Sequence, residues 1–306
     1  MKIGIYAPWA SGDMAAATAC LKYKGTLWPG AQIVWFVLPP ERAGGIHAAS
    51  PDIVAHNPIP LEMRSIDCNA RNIVNVRKGH RENNEGHPLS VVDRSLLGQL
   101  SEKRNKFRIL DDLDLCFFPV PWANCDKLDG PFVLAQKAAI NYSPEMQIRP
   151  FIGLTPEEKE RGRMFVSSLP YETTVMLETK CGSNQSNWND RTTSQVMRAC
   201  RETRGACNFI FGSPGSQKGF EGKGVVDCSS FTLRQCVAIY NHCDLLASTA
   251  SGIAVITSAW QASPRPRRIE YTNNPRITTS PISMSPTSTV SSETDLLSQV
   301  RRVLQR

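Results

Sequence analysis

The chain has 306 residues, 41% of them hydrophobic, so it can bury a sizeable interior and is too long for one ordinary core. Two domains of roughly 150 residues are expected. Its 35 Lys and Arg against 28 Asp and Glu give a net charge of +7, which favours anionic partners such as diphosphates, phosphorylated glycans, nucleic acid or lipid surfaces. The chain shows no basic-apolar-cleavage opening and no apolar run near ~18 residues, which argues against secretion and membrane spanning and leaves a cytoplasmic location as the expectation.

Met1 to Asp13 reads as a short apolar strand running into a Gly-containing turn, and the alanine-rich segment from Met14 to Cys20 opens a helix that can continue from Ala15 to Leu27. An open α/β sheet holds ligands at turns of this kind, at the carboxyl edge of its strands. Asp13 is thereby placed at the mouth of a cleft, although an Asp in a first helical turn also serves as a cap. Pro29-Gly30 stops the helix, Gln32 to Leu38 is the next strand, and Arg42 to Arg94 is less regular. Within it Arg71, Arg77, Lys78, His80 and Arg81 form a basic cluster, readable as a contact for a polyanion or as a solvated surface.

Arg94 to Phe107 has amphipathic helical spacing, Asp114 to Val120 reads as a buried strand, and Pro131 to Tyr142 as a helix. Asp112-Leu113-Asp114 matches a D-x-D triplet, but it precedes its strand and reads better as a solvated turn, so no metal site is expected. The first domain therefore covers 1–150. The second, 151–277, opens on Thr155-Pro156-Glu157-Glu158, a capping box with Pro at the first helical position. Strands follow at Thr174 to Thr179, Asn208 to Phe211, Val225 to Cys228, Asp244 to Ala247 and Arg267 to Thr272, the last of them the expected final strand. Helices are expected at Thr192 to Arg204, Thr232 to His242 and Gly252 to Trp260. The turn at Ser248 to Gly252 faces the free amides of that last helix, a ready anion site. The glycine-rich basic stretch Gly212 to Gly224 suits either phosphates or a mobile surface. Thr278 to Val290 reads as an extended connector, and Ser292 to Arg306 as a helix with Leu296, Leu297, Val300, Val303 and Leu304 on one face, so that 278–306 closes back on the body.

Ten cysteines, at Cys20, Cys68, Cys116, Cys125, Cys181, Cys200, Cys207, Cys228, Cys236 and Cys243, include no C-x-x-C pair. Scattered in apolar runs, they read as small buried hydrophobes.

Two successive sets of alternating strands and helices describe two Rossmann-like doubly wound α/β domains facing across a cleft. The opening Met1-Lys2-Ile3 through Ser11-Gly12-Asp13, the segment Trp28-Pro29-Gly30-Ala31 and the strand Ile33 to Phe36 resemble the start of the bacterial heptosyltransferases, GT-B enzymes that use ADP-heptose. Leu154 to Glu158, Leu177 to Trp188, and above all Thr232 to Ala247 followed by Ser251-Gly252, resemble that family's donor-binding domain. The resemblance implies inverting, metal-independent transfer of a sugar from a nucleotide-diphosphate donor, a co-substrate and no cofactor, to an anionic acceptor. It implies Asp13 as general base, with Trp9, Ser11 and Gly12 on the acceptor side. Thr179, Lys180, Trp188, Gly212, Ser251 and Gly252 fall on the donor side, where Lys180 and the amides near Ser251 and Gly252 stabilise the leaving diphosphate. The family usually carries Asp-Ser/Thr-Gly followed by His, where this chain has Ala250-Ser251-Gly252 and Val255. A Lys that commonly precedes the loop Trp is replaced by Ser186-Asn187. These departures imply altered donor recognition. A bacterial surface glycan such as a lipopolysaccharide core is the first acceptor to consider and a hydroxymethylated base in DNA the second. A non-catalytic nucleotide-sugar or polyanion binder of the same fold is the third reading.

Overall fold

The computed structural model describes residues 1–6, 18, 29–37, 61–65, 91–93, 115–117, 152–180, 187–212, 216–228, 230–249, 251, 254, 267–273 and 287–306. The chain divides into two units, Met1–Ile148 and Arg149–Arg306. In the first unit β1 (Lys2–Tyr6), β2 (Gln32–Val37), β3 (Leu61–Ser65), β4 (Val91–Asp93) and β5 (Leu115–Phe117) form a sheet in the order β3-β2-β1-β5-β4. All neighbours are parallel except β4, which runs antiparallel to β5. Consecutive residues Ile33, Val34 and Trp35 are all buried, as expected of a strand covered on both faces. At the amino end of the sheet Glu62 draws in its neighbours, pairing with Lys2 at 3.2 Å and accepting from Gln32 Nε2 at 3.3 Å.

Two of these strands were not expected. β3 and β4 lie inside the segment read as irregular, because β3 carries the charged Glu62 and Arg64 and follows Pro58 and Pro60, while β4 has only three residues. The helices expected at Ala15 to Leu27, Arg94 to Phe107 and Pro131 to Tyr142, the basic cluster around Arg77 and the Asp112–Asp114 triplet lie outside the described residues.

The second unit contains α1 (Pro156–Ser167), β6 (Thr173–Glu178), α2 (Asp190–Arg204), β7 (Cys207–Phe211), β8 (Val225–Asp227), α3 (Leu233–Tyr240), β9 (Leu245–Thr249), β10 (Arg267–Tyr271), β11 (Thr287–Val290) and α4 (Glu293–Leu304). Its six strands lie in the order β11-β10-β9-β6-β7-β8, every pair parallel. β11 corrects the connector reading, and β10 is not the final strand. The Ser/Thr-rich sequence hid an edge strand whose polar composition is tolerated there and whose Thr residues fit a pleated surface.

Side-chain alternation sorts the sheet residues into two layers. Val175, Leu177, Phe209, Phe211, Leu245 and Ala247 join one face with residues of α2 and with Leu296, Val300 and Leu304 of α4. Met176, Ile210 and Leu246 join the other with Cys236, Ile239 and Tyr240 of α3, against which Phe165 and Val166 of α1 pack. This is a doubly wound layer structure. Cys200, Cys207, Cys228, Cys236 and Cys243 are unpaired and buried in it. Burial pushes all five thiols up, Cys236 to about 12, so they remain protonated and act as small apolar fillers. Among the described residues no helix is long and apolar enough to cross a membrane.

Candidate functional site

The strand order of the second unit decides where a ligand can sit. β6 comes first in its sheet; β7 and β8 are added on one side of it, and β9, β10 and β11 on the other. The direction of winding reverses between β6 and β9, and in an open α/β sheet the carboxyl edge at such a reversal is where ligands bind. Thr179 and Lys180 follow β6, and Ser251 follows β9 by two residues. Glu178 is in register with Ser248, and Thr249 Oγ1 donates to the Lys180 carbonyl at 3.4 Å, so the two strand ends are tied together. The topology thus brings Thr179, Lys180 and Ser251 to one place. Lys180 is exposed, and among the described residues its ammonium makes no ion pair.

Ser251 is buried. Its Oγ accepts from the Ala254 N–H at 3.1 Å and its own N–H donates to the Thr249 carbonyl at 2.9 Å, so the chain turns tightly after β9 into a helical residue. Gly212 extends β7 by one residue, and its N–H donates to the Leu177 carbonyl at 3.0 Å. That amide is therefore engaged by the sheet, and Gly212 offers the edge a close backbone approach and not a donor. Trp188 stands as a strut beside the same edge: its Nε1–H donates to Thr193 Oγ1 at 2.9 Å, and its ring meets Tyr271 edge-on at 5.9 Å. The indole donor fixes Trp188 to the start of α2 and the ring contact joins it to Tyr271 at the end of β10, so only the ring's remaining surface is left for a ligand.

Near the same strand ends lies a buried polar row. Glu178, Ser248 and Glu270 are in register across β6, β9 and β10, and Arg268 shares Glu270's face of β10. Arg268 donates to Glu270 Oε2 at 2.8 Å and through Nε to Ser248 Oγ at 3.4 Å. All four are buried. A charge pair held this way fixes its strand ends in position, because losing either partner strands the other in a low-dielectric interior. Sequence reading missed Glu178, Arg268 and Glu270 as a row and put Ser248 and Thr249 in the turn, whereas β9 runs through both; alternation of polar residues toward strand ends was the available signal.

In the first unit the winding reverses between β1 and β5, and β1 ends at Tyr6 beside that point. Trp9, Ser11, Gly12 and Asp13, which follow β1 in the chain, lie outside the described residues, as does Gly252.

No protein-family model matches the chain, and no curated protein matches its sequence. Solved structures do. A glycosyl transferase family 9 protein from Veillonella parvula DSM 2008 superposes with a TM-score of 0.65 at 14% identity, covering 99% of this chain and 97% of its own. The E. coli ADP-heptose LPS heptosyltransferase II gives 0.63 at 14% identity, covering 99% and 98%. This chain has the GT-B fold of the heptosyltransferases. A third structure of that kind, E. coli heptosyltransferase WaaC with ADP, gives 0.54 at 13% identity and covers 100% of this chain and 99% of that one. The α/β architecture with parallel sheets thus matches heptosyltransferase structures over nearly the whole length of both chains.

Proposed function

We propose that the protein is an inverting, metal-independent glycosyltransferase that moves a sugar from a nucleotide-diphosphate sugar to a hydroxyl of an anionic acceptor, foremost a bacterial surface glycan. The observation that carries this reading is the convergence of Lys180 and the Ser251 turn at the reversal between β6 and β9, in a fold shared with structures described as heptosyltransferases, one of them with ADP. An exposed cation and a tight turn at a sheet edge suit a diphosphate.

In the proposed reaction the acceptor oxygen attacks the anomeric carbon from the face opposite the diphosphate. A bond forms between that oxygen and the sugar as the bond from the sugar to the diphosphate oxygen breaks. The carboxylate of Asp13 takes the acceptor's proton, and the nucleoside diphosphate leaves with the electron pair. Lys180 and the Gly252 amide hold the charge that develops on the leaving oxygen, the Ser251 N–H being spent on the turn itself. Thr179 and the Trp188 ring flank the donor, and Trp9, Ser11 and Gly12 serve the acceptor. Ala250 and Val255 stand where the family usually has Asp and His, so the donor is proposed to be other than ADP-heptose.

The test is to incubate the full chain with a panel of nucleotide sugars and with either glycan or hydroxymethylated DNA acceptors, and to follow acceptor mass. A gain on glycan supports the reading, a gain only on DNA moves the acceptor class, and nucleotide binding with no transfer to any acceptor overturns the enzymatic assignment. Asp13→Asn is expected to cut turnover by ~100-fold or more; transfer within about tenfold of wild type removes Asp13 as the base.

A further inference from the structure

The opposite edge of the second sheet carries a feature that sugar transfer does not use. A hollow of about 290 Å³ at the amino ends of β10 and β11 is lined by Arg267, Arg268, Arg302 and Arg306 together with the hydroxyl residues Thr287 and Ser288. Among the described residues no Asp or Glu side chain lines it. A second hollow of about 290 Å³ shares Arg267 and Arg306 and adds Arg204 beside Glu172 and Asp244. The Asp244 Oδ2 already accepts from the Thr174 N–H at 2.9 Å, so that carboxylate is directed at a strand end.

The charge balance can be followed residue by residue. Arg268 is paired with Glu270, and Arg301, next to Arg302 on α4, is paired with Glu202 at 3.2 Å. Arg302 donates to the neutral Gln299 at 2.5 Å and keeps its charge. Arg267, Arg302 and Arg306 make no ion pair among the described residues. The carboxyl end of α4 contributes about −0.5 of a charge, which explains why Arg is favoured there but offsets only a small part of three guanidinium groups. Planar forks beside two hydroxyls are the donor set that suits phosphate oxygens. The hollow is also remote from the donor edge. Arg267 opens β10 and Tyr271 ends it, four steps of ~3.3 Å or about 13 Å away.

We propose that this arginine hollow binds a phosphate group, either free or presented by the headgroup of an anionic lipid. The inference rests on the second unit alone and stands or falls separately from sugar transfer. It is tested on the full chain with inorganic phosphate by titration calorimetry, and by flotation with phosphatidylcholine vesicles with and without phosphatidylglycerol. Arg302→Gln with Arg306→Gln, both at exposed positions, should weaken phosphate binding by about tenfold or more while leaving the unfolding temperature unchanged. Arg161→Gln with Arg191→Gln, exposed on α1 and α2, removes the same charge elsewhere and should leave binding intact. Binding should weaken as salt rises. Phosphate binding without flotation assigns a free anion, and salt-sensitive flotation only with phosphatidylglycerol assigns the lipid. Absence of both, an unaffected hollow variant, or an equal loss in the charge control overturns the proposal.

Discussion

Gly162 is buried within α1, and a Cβ built on it would stand 2.5 Å from the backbone carbon and oxygen of Ala238 in α3. In an unpacked helix Gly→Ala gains roughly 0.5–1 kcal/mol. Here the added carbon meets backbone atoms that cannot rotate aside, so the overpacking cost of about 1–3 kcal/mol wins. Gly162→Ala should therefore lower the urea midpoint; an unchanged or raised midpoint would mean that the two helices separate freely. The cysteines make a second residue-scale case. The thiolate is the nucleophile, and burial holds Cys200, Cys207, Cys228, Cys236 and Cys243 in the thiol form. In the native protein at pH 8, peptides carrying these five should stay unalkylated by iodoacetamide, and should label fully after unfolding. Rapid native labelling of any one of them would contradict its packing.

Between helices the decisive feature is one carboxylate with two tasks. Glu158 closes the capping box of α1, accepting from the Thr155 N–H at 2.7 Å, while Arg234 of α3 reaches it through two nitrogens at 2.7 and 2.6 Å and also donates to the Gly153 carbonyl at 2.5 Å. The box itself was legible, since Thr-Pro-Glu-Glu states a helix start in four residues, and Thr232 with Gln235 builds a second one. The pairing of Arg234 with Glu158 was not legible, because 76 residues separate partners that only the fold brings together. The same divide explains the strands. Buried β6, β7 and β9 declare themselves by apolar runs, whereas β3 and β11 are short or polar and are strands because a neighbour offers them hydrogen bonds. Arg234→Met should cost about 3–5 kcal/mol, as it leaves Glu158 nearly buried without its counter-ion. Adding Glu158→Gln should recover part of that loss by denaturant unfolding; strictly additive losses would show that the two side chains do not couple.

At the scale of the whole molecule, strand order is what turns a list of polar turns into a candidate site. The alternation of strands and helices is written in the sequence, but the reversal between β6 and β9 is a property of non-local pairing, and without it Lys180 and Ser251 are merely two loop residues 71 positions apart. The proposed function assigns the donor to the second unit and the acceptor's proton to the first, which makes the two roles separable by mutation. A nucleoside diphosphate at 100 times its dissociation constant should stabilise the protein by about 2.7 kcal/mol. Lys180→Met removes the exposed cation at the strand end without disturbing the carbonyl that Thr249 meets, so it should shrink the thermal shift and raise the donor KM. Asp13→Asn should leave the same thermal shift intact and lower kcat alone, since an interaction made only as the proton moves contributes nothing to ground-state binding. If Asp13→Asn abolished the nucleotide shift, or Lys180→Met left both the shift and KM untouched, the division of labour between the two units would be wrong even in a protein that transfers sugar.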